Sequence, residues 1–152
     1  CAWPKKCTQT QPRHWLGLYN NQRGKVMDEK MFEKGLAKRK ATLGNEYVEG
    51  VMENADDFAR PFQEAMTAWC WGFGWGDEVI DAKTRSMMNL AMIGALGKMH
   101  EWELHCRGAL KNGVSVEEIR AVVHVIGIYC GVPQAVECFR HARKVLEEEG
   151  KL

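Results

Sequence analysis

The stretch DAKTRSMMNLAMIGALGKMHEWELHCRGALKNGVSVEEIR, residues 81–120, decides the fold class of this chain. Apolar residues recur in it at helical spacing, and helix-ending signals divide it into three segments. Asp81 suits an N-cap, Gly113 suits the residue after a helix, and Ser115 with Glu118 forms an S-x-x-E capping box. The stretch therefore predicts three consecutive helices, of which the third runs on beyond residue 120.

The helical pattern extends in both directions from this stretch. Towards the C-terminus, Gly131 ends a helix, Pro133 fits the first turn of the next one, and Gly150 follows its end. Towards the N-terminus, apolar stripes predict helices between residues 27 and 69. The three glycines between residues 72 and 76 are expected to break regular structure. Because strand signals are absent, the sequence predicts an all-α fold of about six helices.

Composition limits the classes of function that are open. The chain has 152 residues, of which 45% are hydrophobic and 27% charged, as in a single soluble globular domain. No uncharged apolar run approaches the roughly 18 residues that span a bilayer, which excludes an integral membrane protein. Residues 1–26 carry five basic groups and no acid, which leaves 16 basic against 20 acidic groups in the rest. This acidic body gives no electrostatic reason to expect a nucleic acid partner.

The first 26 residues differ from the rest of the chain. They show no sustained periodicity, whereas Met27 opens a segment with acids in its first turn and basic residues near its end. We expect residues 1–26 to be an extension of vector or upstream origin, or a disordered arm, and residues 27–152 to be the folded domain. The six cysteines form no CxxC pair and no zinc-finger spacing, so we expect a reduced, cytoplasmic protein without a metal.

Glu101 and His105 are the first candidate catalytic residues. Their i, i+4 spacing places both side chains on one face of a helix. A carboxylate beside an imidazole fixes its tautomer and raises its basicity, which suits a histidine that transfers protons. The same spacing is also typical of an ordinary surface pair on a helix, and the residues alone leave both interpretations open.

Three more residues are candidates for substrate binding. Arg85 is either an exposed first-turn residue or a bidentate clamp for a carboxylate. His124 lies in an apolar helical stretch, where it is either a core residue with a satisfied hydrogen bond or part of a pocket lining. Trp75 belongs to a tryptophan-rich cluster that is more typical of a core or an interface than of a cofactor site.

The motifs also follow one another in a familiar order. WCWGFGW (residues 69–75), the stretch 81–120 and IYCGVPQAVECF (residues 128–139) together resemble the carboxymuconolactone decarboxylase family. The resemblance implies an alkylhydroperoxidase-D-like helical subunit that assembles into a ring-like homotrimer or homohexamer. It also implies that Glu101 and His105 lie in the active site. In the redox branch of this superfamily a CxxC precedes the equivalent histidine, but here those positions are Lys98 and Glu101.

The activity implied is cofactor-free decarboxylation of 4-carboxymuconolactone, or of a related small lactone acid, to the enol-lactone. His105 is then the general acid, Glu101 its orienting partner, and Arg85, His124 and Trp75 bind the substrate. Two departures from the family pattern concern the substrate. Asp77 replaces the arginine of the usual W-x-R, and Ala121 replaces a glutamate. The alternatives are a hydroperoxide-reducing protein that uses Cys106 or Cys130, or an oligomeric ligand-binding protein.

Overall fold

The computed structural model describes residues 28–152, in which seven α-helices and one π-helix account for the regular structure and no strand occurs. The all-α prediction is confirmed, with seven α-helices against about six expected. The interpretation of residues 1–26 lies outside the described residues. In chain order the helices are α1 (Glu29–Leu43), α2 (Asn45–Glu53), α3 (Arg60–Met66), the π-helix (Thr67–Gly74), α4 (Ala82–Ala95), α5 (Met99–Lys111), α6 (Val116–Cys130) and α7 (Val132–Glu148).

The predicted helix ends are confirmed. The Asp81 carboxylate accepts a hydrogen bond from the Thr84 amide at 2.9 Å and caps α4. Ser115 and Glu118 form the reciprocal capping box of α6. Gly131, with φ of 96°, separates α6 from α7 in a backbone conformation that other residues rarely adopt. These signals are local in sequence, which is why they could be interpreted without the tertiary structure.

The prediction that glycines break regular structure between residues 72 and 76 is wrong for Gly72, which lies inside a helix, although that helix does end at Gly74. The helix that begins as α3 continues as a π-helix, and the Trp75 amide donates to the Cys70 carbonyl at 2.9 Å. Glycine serves here for close packing, because a Cβ placed on Gly72 would lie 2.2 Å from the Met31 carbonyl oxygen of α1. The π-helix therefore packs against α1 almost backbone to backbone.

The helices surround two hydrophobic cores. The larger core joins α4, α5, α6 and α7, with Leu90 and Trp102 fully buried. The smaller core joins α1, α2 and the π-helix around Val48, Trp71 and Trp75. Helix α5 contributes to both cores, because Trp102 faces the larger one while Leu104 packs against the smaller one. Helix α5 therefore lies between the two cores.

Several large apolar side chains remain exposed. Phe58, Phe62 and Trp69, which helical spacing places on one face, are 93%, 67% and 68% exposed. Met88 and Met92 are exposed on α4, the helix whose sequence is apolar on most sides. Among the described helices, none has the length and apolar character required to cross a bilayer.

Candidate active site

His105 lies at the junction of the two cores, on the side of α5 that faces the π-helix. Its imidazole is nearly parallel to the Trp71 indole, with ring centroids 6.0 Å apart and an interplanar angle of 6°. It also stacks with Trp75 at 6.3 Å, and the two indoles stack with each other at 4.8 Å. The structure thus brings Trp75 together with His105, as predicted for two site residues, and adds Trp71 to the cluster.

The hydrogen-bond partner of His105 is Asn89 of α4. The amide nitrogen of Asn89 lies 3.2 Å from Nδ1 of His105. An amide nitrogen can only donate, so in this arrangement Nδ1 accepts the bond and the neutral ring carries its proton on Nε2. Nε2–H is therefore the donor that the imidazole can offer to a bound molecule.

Burial, more than the neighbouring carboxylate, determines the charge of His105. Loss of solvation lowers the pKa of His105 to about 4, and the negative charge of Glu101 only partly opposes this shift. The expectation that Glu101 leaves the imidazole more basic than usual is therefore wrong. Glu101 itself is exposed and acts on the ring through its charge, while Asn89 holds the ring by a hydrogen bond. The ring is neutral at pH 7.

Arg85 lies one helical turn before Asn89, so both side chains project from the same face of α4. Its guanidinium donates to the carbonyl oxygens of Asp77 at 2.6 Å and Ile80 at 3.2 Å. These contacts tie Arg85 to the loop between the π-helix and α4. The Asp77 carboxylate accepts from the Val79 amide and stabilises the turn of that loop.

His124 is not brought together with His105. It is exposed on α6 and lines an open apolar groove of about 750 Å³ between α6 and α7, together with Ile128, Val132 and Phe139. His124 is therefore not a core residue; it lines a groove, but that groove contains none of the other candidate residues. Of its neighbours in sequence, Val125 is exposed, whereas Val123 is buried in the larger core.

Two of the cysteines are poor nucleophiles. Cys106 is fully buried, and burial raises the pKa of its thiol to about 12. Cys138 is also buried, and its pKa is raised for the same reason. Cys130, the other thiol considered for hydroperoxide reduction, is exposed at the end of α6. A hydroperoxide-reducing role for Cys106 is therefore disfavoured by its protonation state.

Two site residues were missed by sequence reasoning. Asn89 is a polar residue on the Arg85 face of a largely apolar helix, and this placement was the signal available for it. Trp71 was assigned to packing together with its tryptophan neighbours, and nothing in the local pattern distinguishes it from Trp69, which is exposed. Within residues 28–152, no group of three or more His, Cys, Asp and Glu residues is arranged to hold a metal ion.

The described residues define a class of protein: an all-helical fold in which a half-buried histidine is held between an asparagine and two stacked indoles. Residues 60–144 match the sequence profile of the carboxymuconolactone decarboxylase family. The chain belongs to this family.

Two relatives with assigned functions agree with this membership. The nitrosuccinic acid decarboxylase of Metarhizium robertsii is 38% identical over 122 residues, which cover 80% of this chain and 85% of that protein. The 4-carboxymuconolactone decarboxylase of Acinetobacter baylyi is 30% identical over 123 residues, which cover 81% of this chain and 92% of that protein. Both relatives are decarboxylases, which supports a carboxy-lyase.

Proposed function

We propose that this protein decarboxylates 4-carboxymuconolactone, or a related small lactone acid, without a cofactor. The observation that carries the proposal is the neutral His105 imidazole, which is stacked on two indoles and accepts a hydrogen bond at Nδ1. This arrangement presents Nε2–H as a fixed donor beside apolar ring faces. Membership of the family and the two decarboxylase relatives support the reaction class.

The chemistry requires stabilisation of an oxyanion. When the carbon–carbon bond to the departing carboxylate breaks, its electron pair passes through the ring double bond to the lactone carbonyl oxygen. Carbon dioxide leaves, a dienolate forms, and the ring carbon then takes up one proton from solvent. A donor aimed at the dienolate oxygen from a site with little water lowers the barrier most effectively.

The roles of the residues follow from their charge states. A neutral imidazole that donates from Nε2 can stabilise an enolate, as a neutral histidine does in triosephosphate isomerase. His105 in this proposal is therefore a hydrogen-bond donor, which replaces the general-acid role expected from sequence, because its lowered pKa leaves little imidazolium at pH 7. Arg85 would bind a retained carboxylate, and Trp75 would cover the ring of the substrate.

A second candidate substrate is nitrosuccinic acid, the substrate in the name of the relative with the higher identity. Loss of the carboxylate adjacent to the nitro group leaves a nitronate, whose negative charge also lies on oxygen. The same donor would serve both acids. Asp77 stands where the family pattern has arginine, which removes one cation suited to a substrate carboxylate, so both acids should be assayed.

The test is an assay of the purified protein with each acid, which follows carbon dioxide release and the organic product. We expect turnover of at least one acid, and His105→Ala should reduce it by roughly 10²–10³-fold, as removal of one oxyanion donor does. His124→Ala is the matched control, because His124 lies in a separate groove, and it should retain activity. Equal activity of His105→Ala and wild type would refute the assignment.

The same protein preparation tests the other two functions considered. Consumption of a hydroperoxide with a thiol reductant, abolished by Cys130→Ser, would indicate a peroxidase. Binding of either acid without turnover would indicate a ligand-binding protein. We also propose that the working form is a homotrimer or homohexamer, for which the exposed apolar groove between α6 and α7 is the supporting observation.

A further inference from the structure

Arg39 of α1 is a buried cation with neutral hydrogen-bond acceptors. It is only 3% exposed; Nη1 donates to the Thr67 hydroxyl and Nη2 to the Gln63 side-chain oxygen, both at 3.0 Å. No carboxylate within residues 28–152 forms an ion pair with it, and its Nε has no hydrogen-bond partner. Burial accordingly lowers the pKa of Arg39. Holding a charge in such a place costs solvation free energy, so the two bonds must serve a specific arrangement.

The two acceptors lie on either side of a structural junction. Gln63 belongs to α3, and Thr67 is the first residue of the π-helix. The Thr67 amide still donates to the Gln63 carbonyl in the i−4 pattern of an α-helix, whereas beyond Thr67 the Trp75 amide donates to the Cys70 carbonyl in the i−5 pattern. A shift by one residue rotates the following part of a helix by about 100°, because an α-helix has 3.6 residues per turn. The junction therefore determines which later side chains face α5.

The side chains that depend on this junction are the two indoles at the site. Trp71 lies on the π-helix and Trp75 directly follows its end, and both stack with His105. We propose that Arg39 is a positioning residue, which fixes the register of the π-helix and so holds Trp71 and Trp75 against His105. The inference rests on the proposed function only in treating His105 as the group that meets the substrate.

An arginine is suited to binding Gln63 and Thr67 at the same time. A guanidinium is a rigid planar fork that reaches two acceptors at once, whereas a lysine ammonium is a single point on a flexible stem. Helix α1 is also held close to the junction, because a Cβ placed on Gly35 would lie 2.1 Å from the Thr67 carbonyl oxygen. Arg39 follows Gly35 by one turn, so both contacts act on the start of the π-helix.

The pKa of His105 reports whether the two indoles remain in place. The groups that face its imidazole are Asn89 from α4, the two indoles, and the Glu101 carboxylate on α5. Of these groups only Glu101 is ionisable, and it lies far in sequence from Arg39 and Thr67. Withdrawal of the indoles admits water, which raises the pKa of His105 from about 4 towards its ordinary value.

The experiment compares Arg39→Lys, Thr67→Val and Thr67→Ser with Arg143→Met. Arg143 is an exposed α7 residue paired with Glu147, and its variant controls for loss of a guanidinium. Each full-length variant is titrated by NMR to obtain the pKa of His105. Its kcat and KM are measured with whichever acid the wild type decarboxylates.

We expect Arg39→Lys and Thr67→Val to raise the pKa of His105 by about one unit or more and to lower kcat by roughly 10- to 100-fold with little change in KM. Thr67→Ser keeps the hydroxyl and should behave as the control does. A wild-type pKa and kcat in folded Arg39→Lys and Thr67→Val overturn the proposal, even if their melting temperatures fall. If Arg39→Lys does not fold, Thr67→Val decides. If the pKa of His105 rises while kcat is unchanged, Arg39 is a positioning residue, but His105 is not part of the proposed reaction.

Discussion

His105 shows how burial outweighs a neighbouring charge at the scale of one residue. Its i, i+4 relation to Glu101 is visible in the sequence and predicts a more basic imidazole. The pKa of His105 is nevertheless lowered to about 4, because the indoles that remove water from it come from the π-helix, some thirty residues earlier in the chain. Sequence could therefore predict the residue and one partner, but not its protonation state.

The lowered pKa makes a prediction for stability. The folded protein holds His105 neutral down to about pH 4, whereas the unfolded chain protonates it near 6.5. The unfolded state thus binds more protons in this interval, so stability is full above pH 6.5 and is lost as the pH falls towards 4. The loss is about 3 kcal/mol by linkage. Urea unfolding between pH 4 and 7 should show this slope in wild type and a flatter one in His105→Gln. Parallel slopes would contradict the burial of the imidazole.

Glu101 makes the second prediction at this scale. Its charge opposes the effect of burial, so Glu101→Gln should lower the pKa of His105 further. Because the neutral imidazole is the proposed donor, turnover at pH 7 should fall less than in His105→Ala. NMR titration of the histidines gives the pKa directly, and Glu117→Gln on α6 is the control for a carboxylate removed elsewhere. An unchanged pKa of His105 would show that the two side chains are not coupled.

At the scale of the element, helix ends fixed by local hydrogen bonds could be predicted from the sequence, whereas features that depend on packing between elements could not. The ends of α4 and α6 could be predicted because Asp81 and Ser115 bond to amides three residues away. The π-helix could not, because its glycines indicate a break until α1 is seen to pack directly on them. The exposure of Phe62 and Trp69 could not be predicted for a related reason: periodicity shows which residues share a face, but not whether another element covers that face.

Gly72 provides the test for this element. A Cβ at Gly72 would lie 2.2 Å from the Met31 carbonyl oxygen, so Gly72→Ala must push the π-helix away from α1. We expect it to cost roughly 1–3 kcal/mol of unfolding free energy, as overpacking does. Gly50 on α2 has no atom within 4 Å of an added Cβ, so Gly50→Ala should instead stabilise by roughly 0.5–1 kcal/mol. Denaturant unfolding compares the two variants, and equal effects would contradict the close packing.

At the scale of the whole molecule, the exposed apolar surface is the feature to explain. The groove between α6 and α7 and the adjoining ends of these helices expose Val125, Ile128, Tyr129, Val132, Val136 and Phe139. A separate set of exposed aromatic residues lies on the turn before α3, on α3 and on the π-helix: Phe58, Phe62, Trp69 and Phe73. Soluble monomers rarely expose apolar surfaces of this extent. Two different patches on one chain also permit head-to-tail contacts between copies. Such contacts form a closed ring when the rotation from one copy to the next divides a full turn evenly.

The last prediction follows from these patches and concerns assembly. If the α6–α7 groove is covered by a second copy, sedimentation at micromolar concentration should give a multiple of the 17.3 kDa chain mass. Ile128→Glu would place a charge in the groove. Because burying that charge against a second copy is costly, the variant should form a smaller assembly than wild type. Its helix content should stay unchanged. Arg143→Gln on the polar side of α7 is the control and should assemble as wild type does. A wild-type monomer, or an Ile128→Glu variant that assembles normally, would show that this groove is not the contact between subunits.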